Sequence, residues 1–413
     1  MNTISWIKDN IKITDIISVN SQGTSDCPFC GKRSKWFTSQ DRAGSCYSPS
    51  CPSNANKTKM KDVIDVYALH HNCTTGEAIR FLSKGYTTTF KPNNEYFEFN
   101  VQLAKFYHNT LLNNTEALAY LNKRGITEYL IRAFQIGFAP KDIKQYKGID
   151  LDNLKKFSLL KENNYLYFND RIIFPIRDIN KNIIHFQGRY IYDIPLDDNG
   201  EEKFPKYLST KAYKNYPNIV AYLYLEDRLS SYDKNKSLFI TEGIPDCLSL
   251  IKNGLQAVAL FGLSGLNNHS TKIEDFNTIY ICADNDISLN ISTGEKEYKS
   301  WKMLLPQIKQ LQMLLPNTTI KLFKPPYVIA NHPVKDMNDF IEVNYFTKDK
   351  LLEYIENNSV DYLYKYITNN LKDRTKHLDI LTMCKLTNRG LDIMQKYLVD
   401  NNLINLEYII SLL

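Results

Sequence analysis

The 413 residues contain no run of eighteen apolar residues, so no segment reads as a membrane span. The opening "MNTISWIKDNIKITDIIS" lacks the apolar centre and small-residue cleavage site of a secretory signal. No G-x-x-x-x-G-K-[ST] loop occurs, which excludes a fused helicase motor and a nuclease that relies on an ATPase of its own. Charge of one sign is in only mild excess: +6 suits a nucleic-acid partner and equally an ordinary solvated enzyme. These absences imply a cytoplasmic protein with no membrane partner, and in that compartment thiols stay reduced. Its eight cysteines are then not a disulfide framework. The length exceeds one compact core, and an apolar fraction of 43% supports several globular domains.

Four of the cysteines crowd "CPFCGKRSKWFTSQDRAGSCYSPSC". Cys27 and Cys30 form a C-x2-C knuckle followed by Gly31, where a turn frees backbone amides to steady the sulfurs. Cys46 and Cys51, spaced C-x4-C, close the tetrahedron. Four thiolates leave no open position, so Zn2+ at this site would be structural. "SKWFTSQ" and "AGSCY" alternate like the strands of a small hairpin. The plainer alternative, a reduced C-x-x-C beside two coincidental cysteines, fits the spacing less well. His70 and His71 follow on a helical pattern and are expected at the surface, whereas Cys73, Cys247, Cys282 and Cys384 read as small buried side chains.

Apolar spacing in "KMKDVIDVYALHHNCTTGEAIRFLSK" predicts two helices, the second beginning near Glu77 behind Thr74 or Thr75. "GYTTTFKPNNEYF" loses periodicity and reads as a linker. The resulting division is a zinc-binding domain over 1–84, a linker over 85–99, a mixed α+β basic subdomain over 100–235, a core over 236–345 and a helical module over 346–413. Residues 100–140 are expected to be helical, with turns at Arg124–Gly125 and Gly137–Pro140. Beyond them, "LYFNDRIIFPIRDINKNIIHFQGRYIYD" predicts two strands joined by a turn at Asp178–Asn182. Arg171, Arg177, Arg189, Lys206, Lys211 and Lys214 punctuate this region. Singly each is a solvated strand residue, while together they can track phosphates, with tyrosines among them to stack on bases.

In "FITEGIPDCLSL" a buried strand ends at Glu242, Gly243 turns the chain, and Asp246 is placed to cap a helix. Further strands "AVALFG", "TIYICAD" and "TIKLFKPP" alternate with helices, which predicts a parallel sheet whose functional groups gather at its carboxyl edge. Glu242, Asp284 and Asp286 fall at such strand ends, and "VKDMNDFIE" adds Asp336 and Asp339. So many acids in one place call for a divalent cation, and oxygen-only ligation suits Mg2+ or Mn2+. Asp246 and Asp339 also have a plain reading as helix caps.

E-G at one strand end, D-x-D at another and K-D-x-N-D after a fourth resemble the Toprim domain of primases, topoisomerases and certain nucleases. "AYLNKRGIT…IRAFQIGFAP", "DRIIFPIRD", "GR" and "PKYL", in that order, resemble the core of DnaG-type bacterial and phage primases, which carry a zinc ribbon upstream. The resemblance covers about residues 1–345. It implies a multidomain α/β chain with an N-terminal zinc ribbon, a Toprim core and a C-terminal helical module. The activity implied is nucleotidyl transfer that makes short RNA primers on single-stranded DNA from ribonucleoside triphosphates.

By the same resemblance Glu242 serves as general base or acid and Asp284, Asp286 and Asp336 hold metal. Arg171, Arg189, Lys206 and either Lys211 or Lys214 line the template and nucleotide groove. Two departures stand out. The C-x4-C differs from the commoner C-x2-C, and Asn338 stands where the family's third element has a second carboxylate, so either Asp339 substitutes or that ligand is missing. The C-terminal module of the family binds the replicative helicase; here "LTNRGLDIMQKYL" also suggests a helix-turn-helix, and the plain reading is a bundle packed on the core. The alternatives to a primase are a noncatalytic DNA-binding or assembly protein and a Toprim nuclease. Richness in Asn, Ile and Lys points to an AT-rich genome such as that of a phage or other mobile element.

Overall fold

The computed structural model describes the chain apart from residues 1–2, 21, 28, 34, 52–59, 72–74, 83–93, 162, 198–199, 213–217, 290–295, 345, 371–375, 377–379, 381–382, 385–386, 388 and 401–413. Two compact units divide between Lys91 and Pro92. Among the described residues no helix is long and apolar enough to cross a membrane.

The first unit holds α1 (Thr3–Asn10), β1 (Thr24–Ser25), β2 (Trp36–Ser39), β3 (Ala43–Cys46), β4 (Lys61–Asp62), α2 (Val63–His70) and α3 (Thr75–Leu82). Its strands form an antiparallel sheet in the order β1-β2-β3-β4, with the expected hairpin as β2 and β3. Trp36 is fully buried beneath it. A Cβ on Gly44 would come within 2.3 Å of the Trp36 ring, so only glycine lets β3 cross the indole. Asp62 ends the sheet and starts α2, accepting the amides of Ile64 and Asp65 at 3.0 Å. His70 and His71 are exposed.

The second unit opens with α4 (Asn94–Leu112), α5 (Thr115–Lys123) and α6 (Glu128–Ala133). The helix starts six residues before the expected boundary at 100, which corrects the end of the linker assigned to 85–99. Tyr96 and Phe99 are the cause: both are buried, and the Tyr96 hydroxyl donates to the Ile184 carbonyl at 2.8 Å. Then come β5 (Gly137–Ala139), α7 (Leu151–Lys156), β6 (Arg171–Arg177), β7 (Ile183–Tyr190) and β8 (Tyr207–Ser209), whose strands form an antiparallel sheet in the order β5-β6-β7-β8. Gly137 therefore lies in a strand and not in the turn expected there. A Cβ on it would sit 2.5 Å from Tyr107 Cβ, so this glycine serves the close approach of β5 to α4. The turn between β6 and β7 is where it was expected, with the Asp178 carboxylate accepting the amides of Asn180 and Asn182 at 2.9 Å.

The rest of the unit is built on β9 (Leu238–Thr241), α8 (Ile244–Lys252), β10 (Gln256–Ala259), α9 (Ser270–Ile273), β11 (Thr278–Cys282), β12 (Ile287–Leu289), β13 (Lys296–Tyr298), α10 (Lys299–Leu314), β14 (Thr319–Phe323), β15 (Val328–Ile329), β16 (His332–Pro333), α11 (Met337–Asn344), α12 (Lys348–Asn357), β17 (Val360–Asp361), α13 (Tyr362–Asn370) and α14 (Gly390–Asp400). Strands β10, β9, β11 and β14 form the expected parallel sheet, with β17 added antiparallel at one edge. Both faces are covered. Phe239, Tyr280 and Phe323 pack with α8, α11 and α12 on one side, and Ile240, Ile281 and Leu322 pack with α10 and α13 on the other. That double burial is why these strands read as apolar runs and not as alternating ones.

The described residues of 346–413 are mostly helical, as expected, with one strand among them. Val360–Asp361 is a strand of the sheet, Leu351 and Ile355 of α12 lie in one core, and Leu363, Ile367 and Met394 lie in the other. These residues finish the sheet's cover, in keeping with the plain reading of a bundle packed on the core. Leu363→Ala is therefore expected to cost about 2–5 kcal/mol in the main urea unfolding transition; an unchanged midpoint would show instead that α13 unfolds separately.

Candidate active site

Local chemistry places the acids one by one. Glu242 follows β9 directly, as expected. Gly243, however, has φ −110° and ψ 153°, a conformation open to any residue. It is needed for space, because a Cβ there would lie 2.6 Å from Asp246 Oδ2. The helix α8 begins at Ile244 with Pro245 in its first turn, so Asp246 is a residue of the helix and not its cap. It is 6% exposed and accepts the Asn338 amide at 2.9 Å. Burial, followed by the charges of Asp336 and Asp284, raises its carboxyl well above the usual range.

Asp284 and Asp286 follow β11 and flank Asn285, whose side-chain amide donates to the carbonyls of Pro325 and Val334 at 2.9 and 3.1 Å. The central residue of D-x-D thus ties that loop to the segment leading into Asp336. Burial, and then the charges of Glu242 and Asp336, push the Asp284 carboxyl up to about 8. Burial also raises Glu242, opposed by a hydrogen bond from Ser300 and reinforced by Asp286. Asp286 accepts the Ser300 amide at 3.0 and 3.1 Å and so caps α10 from outside. Asp336 caps α11 through the Asp339 amide at 2.8 Å, and Asp339 in turn accepts the Lys335 amide at 3.2 Å. Asp339 thus lies in the first turn of α11 and braces the segment that leads into Asp336.

Asn338 is buried. Its side-chain amide donates to the Arg124 carbonyl at 2.8 Å and to Ser249 Oγ at 2.6 Å. A carboxylate at this position would face a carbonyl with no proton to offer, which accounts for asparagine where the family pattern has an acid. The same contact fixes the Arg124–Gly125 turn against α11. Gly125 sits at φ +68°, and a Cβ on it would land 2.1 Å from the Glu342 carboxylate.

Beyond that turn the basic residues divide. Arg189 and Arg124 both lie over the Tyr120 ring, with guanidinium carbons 5.8 and 5.7 Å from its centroid; Arg189 is buried, contrary to its expected place in an open groove, and donates to the Tyr120 and Tyr207 hydroxyls. The charges of Arg124 and Lys335 oppose the upward shift of Asp336, which links this basic wall to the acids. Arg171 departs from expectation. It is 1% exposed, and its guanidinium donates to the carbonyls of Gly188, Lys206 and Pro205 at 3.3, 2.6 and 2.9 Å. It clips β8 to its neighbours and has no free face for a polyanion. Arg177 is likewise engaged, with Gln135 at 2.8 Å. Lys206 is exposed, Lys211 lines a shallow cleft with Tyr96 and Phe157, and Lys214 lies outside the described residues. Asp246, Arg124 and Ser300 were not singled out as site residues by sequence reading; of the three, only the repeat of acids around "EGIPD" offered a signal.

The four cysteines come together as expected, all ligand atoms within 4.8 Å of one another. Cys27 and Cys51 sulfurs are 3.6 Å apart and those of Cys30 and Cys46 3.8 Å, against about 3.8 Å for a tetrahedral site with ~2.3 Å Zn–S bonds. The Phe29 and Ser48 amides point at Cys27 and Cys46 Sγ at 3.4 Å. Burial pushes the Cys27 thiol up to about 12 and raises Cys46 as well, so thiolates at these two positions call for a cation beside them, while the Lys32 amide lowers Cys30. Among the described residues this is the one group of three or more potential ligands whose atoms close so tightly. The all-oxygen donor set of the acids suits a hard divalent cation that keeps several waters.

A doubly covered parallel sheet with acids at its carboxyl edge, joined to an antiparallel basic subdomain, defines a Toprim core of the primase type. Residues 106–224 match the family described as the DNA primase catalytic core, N-terminal domain, and 239–319 match the Toprim-like family. The chain is 30% identical over 307 residues to a DNA primase of Rickettsia felis, covering 68% of this chain and 49% of that one. It spans about half the length of the curated relatives it matches. In fold it is similar to the zinc-binding and RNA polymerase domains of the Aquifex aeolicus primase, at TM-score 0.57, 20% identity and 98% coverage of both chains. It is also similar to a DnaG primase catalytic domain bound to single-stranded DNA, at TM-score 0.55 and 19% identity over 73% of this chain and 97% of that one. The chain belongs to the DnaG-type bacterial DNA primases.

Two outcomes test this geometry. Asn338→Asp is expected to lower stability by roughly 2–4 kcal/mol in denaturant unfolding, through a buried carboxylate set against a carbonyl. No change in stability would refute the positioning role. The Asp284 carboxyl is higher in the folded chain than in the unfolded one, so its contribution is full below about pH 4 and fades as pH rises towards 8. Without divalent cations, Asp284→Asn should therefore gain stability over the natural chain progressively between pH 5 and 8. A pH-independent difference would refute that linkage.

Proposed function

We propose that the chain synthesises short RNA primers on single-stranded DNA by divalent-metal-dependent nucleotidyl transfer, as a cytoplasmic replication protein. The observation that carries this reading is the convergence of Glu242, Asp246, Asp284, Asp286 and Asp336 at the carboxyl edge of one sheet, with Arg124 and Arg189 on the adjoining wall. The kinship with DNA primases and the fold shared with a DnaG catalytic domain bound to single-stranded DNA support it.

In this proposal Glu242, held high by burial, accepts the proton of the attacking 3′-hydroxyl. Asp284, Asp286 and Asp336 hold Mg2+ or Mn2+, which when bound supplies charge neutralisation at the transferred phosphoryl group and the departing pyrophosphate. Lys206 receives template or triphosphate oxygens, the buried Arg189 holds the Tyr120 and Tyr207 hydroxyls beside it, and the half-exposed Tyr207 offers its ring for base stacking. Lys211, exposed at the end of the same sheet, extends the basic track, and Lys214 is the alternative for that place. The four cysteines hold structural Zn2+. A replicative helicase, where it docks on the C-terminal helices, meets their outer faces, because the inner ones are spent on the sheet.

Incubation of the chain with single-stranded DNA, labelled ribonucleotides and Mg2+ or Mn2+ should yield labelled oligomers, and Glu242→Gln should lower their yield by at least about a hundredfold. DNA binding without oligomers under either metal would replace this reading with that of a binding module; cleavage of the DNA would replace it with that of a nuclease.

A further inference from the structure

Ser300 is the second residue of α10 and is 1% exposed. A serine near a helix start ordinarily turns its hydroxyl to a neighbouring backbone group. This one leaves its helix: Oγ lies 3.0 Å from Glu242 Oε2 and 2.9 Å from Asp286 Oδ2, 58 and 14 positions away in the chain. Its amide meets both oxygens of the same Asp286 carboxylate, and the Lys299 amide donates to the Asp286 carbonyl at 3.2 Å. The β12–β13 excursion therefore departs from Asp286 and returns to it, delivering the first turn of α10 to the acids.

A hydroxyl has one proton to donate. Shared between two carboxylates, it stands as a neutral bridge between groups whose like charge would drive them apart. Because the side chain is buried and its oxygen meets these two acceptors, the geometry points to a role toward the acids and not toward the helix.

We infer that Ser300 is a positioning residue that holds Glu242 and Asp286 at the separation from which both face one divalent cation. This rests on the metal-dependent reading above, but it concerns cation binding and not the chemical step. It also differs from the motif-borne assignments, since neither E-G nor D-x-D points to a serine beyond an intervening hairpin.

The test is Mn2+ binding to the full, zinc-loaded chain, read from the electron paramagnetic resonance of the free aqua ion. Ser300→Ala is expected to weaken Mn2+ binding by about tenfold, and Ser300→Thr, which keeps the hydroxyl, to restore most of it. The metal concentration for half-maximal primer synthesis should rise in the alanine variant more than the rate at saturating metal falls. Equal Mn2+ affinity in Ser300→Ala and the natural chain would overturn the assignment, as would an equal loss in both variants or a natural chain whose Mn2+ binding is indifferent to Asp284→Asn. If Mn2+ binding responds to Ser300 while no primer forms, the positioning role stands and primer synthesis by this chain falls.

Discussion

The repulsion among carboxylates at the end of one sheet is the constraint around which the second unit is organised. Glu242, Asp246, Asp284 and Asp336 each lie within reach of another acid, and each is raised by burial first and by neighbouring charge after it. Desolvation alone would drive such groups to hold their protons. A fold that nevertheless keeps them together must restrain each one by contacts that do not depend on their mutual energy. Those restraints are visible: Asp336 and Asp286 serve helix starts, Asp246 takes the Asn338 amide, and Glu242 takes the Ser300 hydroxyl.

The restraints also explain residues that look like lapses from a motif. Asn338 is the clearest case, since its side-chain amide reaches a carbonyl of the Arg124 turn and Ser249 at once. Through it α11, which carries Asp336 at its start, is keyed to the turn that presents Arg124. One buried amide thereby sets the distance between the acidic edge and the basic wall. Gly125 and Gly243 act in the same way by leaving room, the first for Glu342 and the second for Asp246.

What the sequence made legible follows from how local each signal is. The parallel sheet, its acids at strand ends and the cysteine cluster were readable because each rests on a short pattern: an apolar run, a residue after it, a fixed spacing. The misreadings concern glycines and basic residues, whose roles depend on what lies across from them. Gly137 and Gly243 suggested turns, yet both exist for close approach, to Tyr107 and to Asp246. Arg171 suggested a phosphate contact but spends its donors on three carbonyls. The C-terminal helices kept their period while giving no sign that a two-residue strand at Val360–Asp361 would lock them to the sheet edge.

The two metal-type sites in the chain obey one electrostatic rule with different geometry. In the first unit, sulfurs 3.6 and 3.8 Å apart form a closed set in which burial penalises thiolates, so the fold and the cation are coupled directly. In the second, Glu242, Asp246, Asp286 and Asp336 each accept an amide or hydroxyl hydrogen bond, so the sheet restrains these four without a cation. That difference fits the proposed function. A site that only braces a fold gains from a closed set of ligands, whereas one that takes part in phosphoryl transfer needs positions left for substrate oxygens. In the function proposed above, these protein contacts keep the site open and in shape before metal and nucleotide arrive.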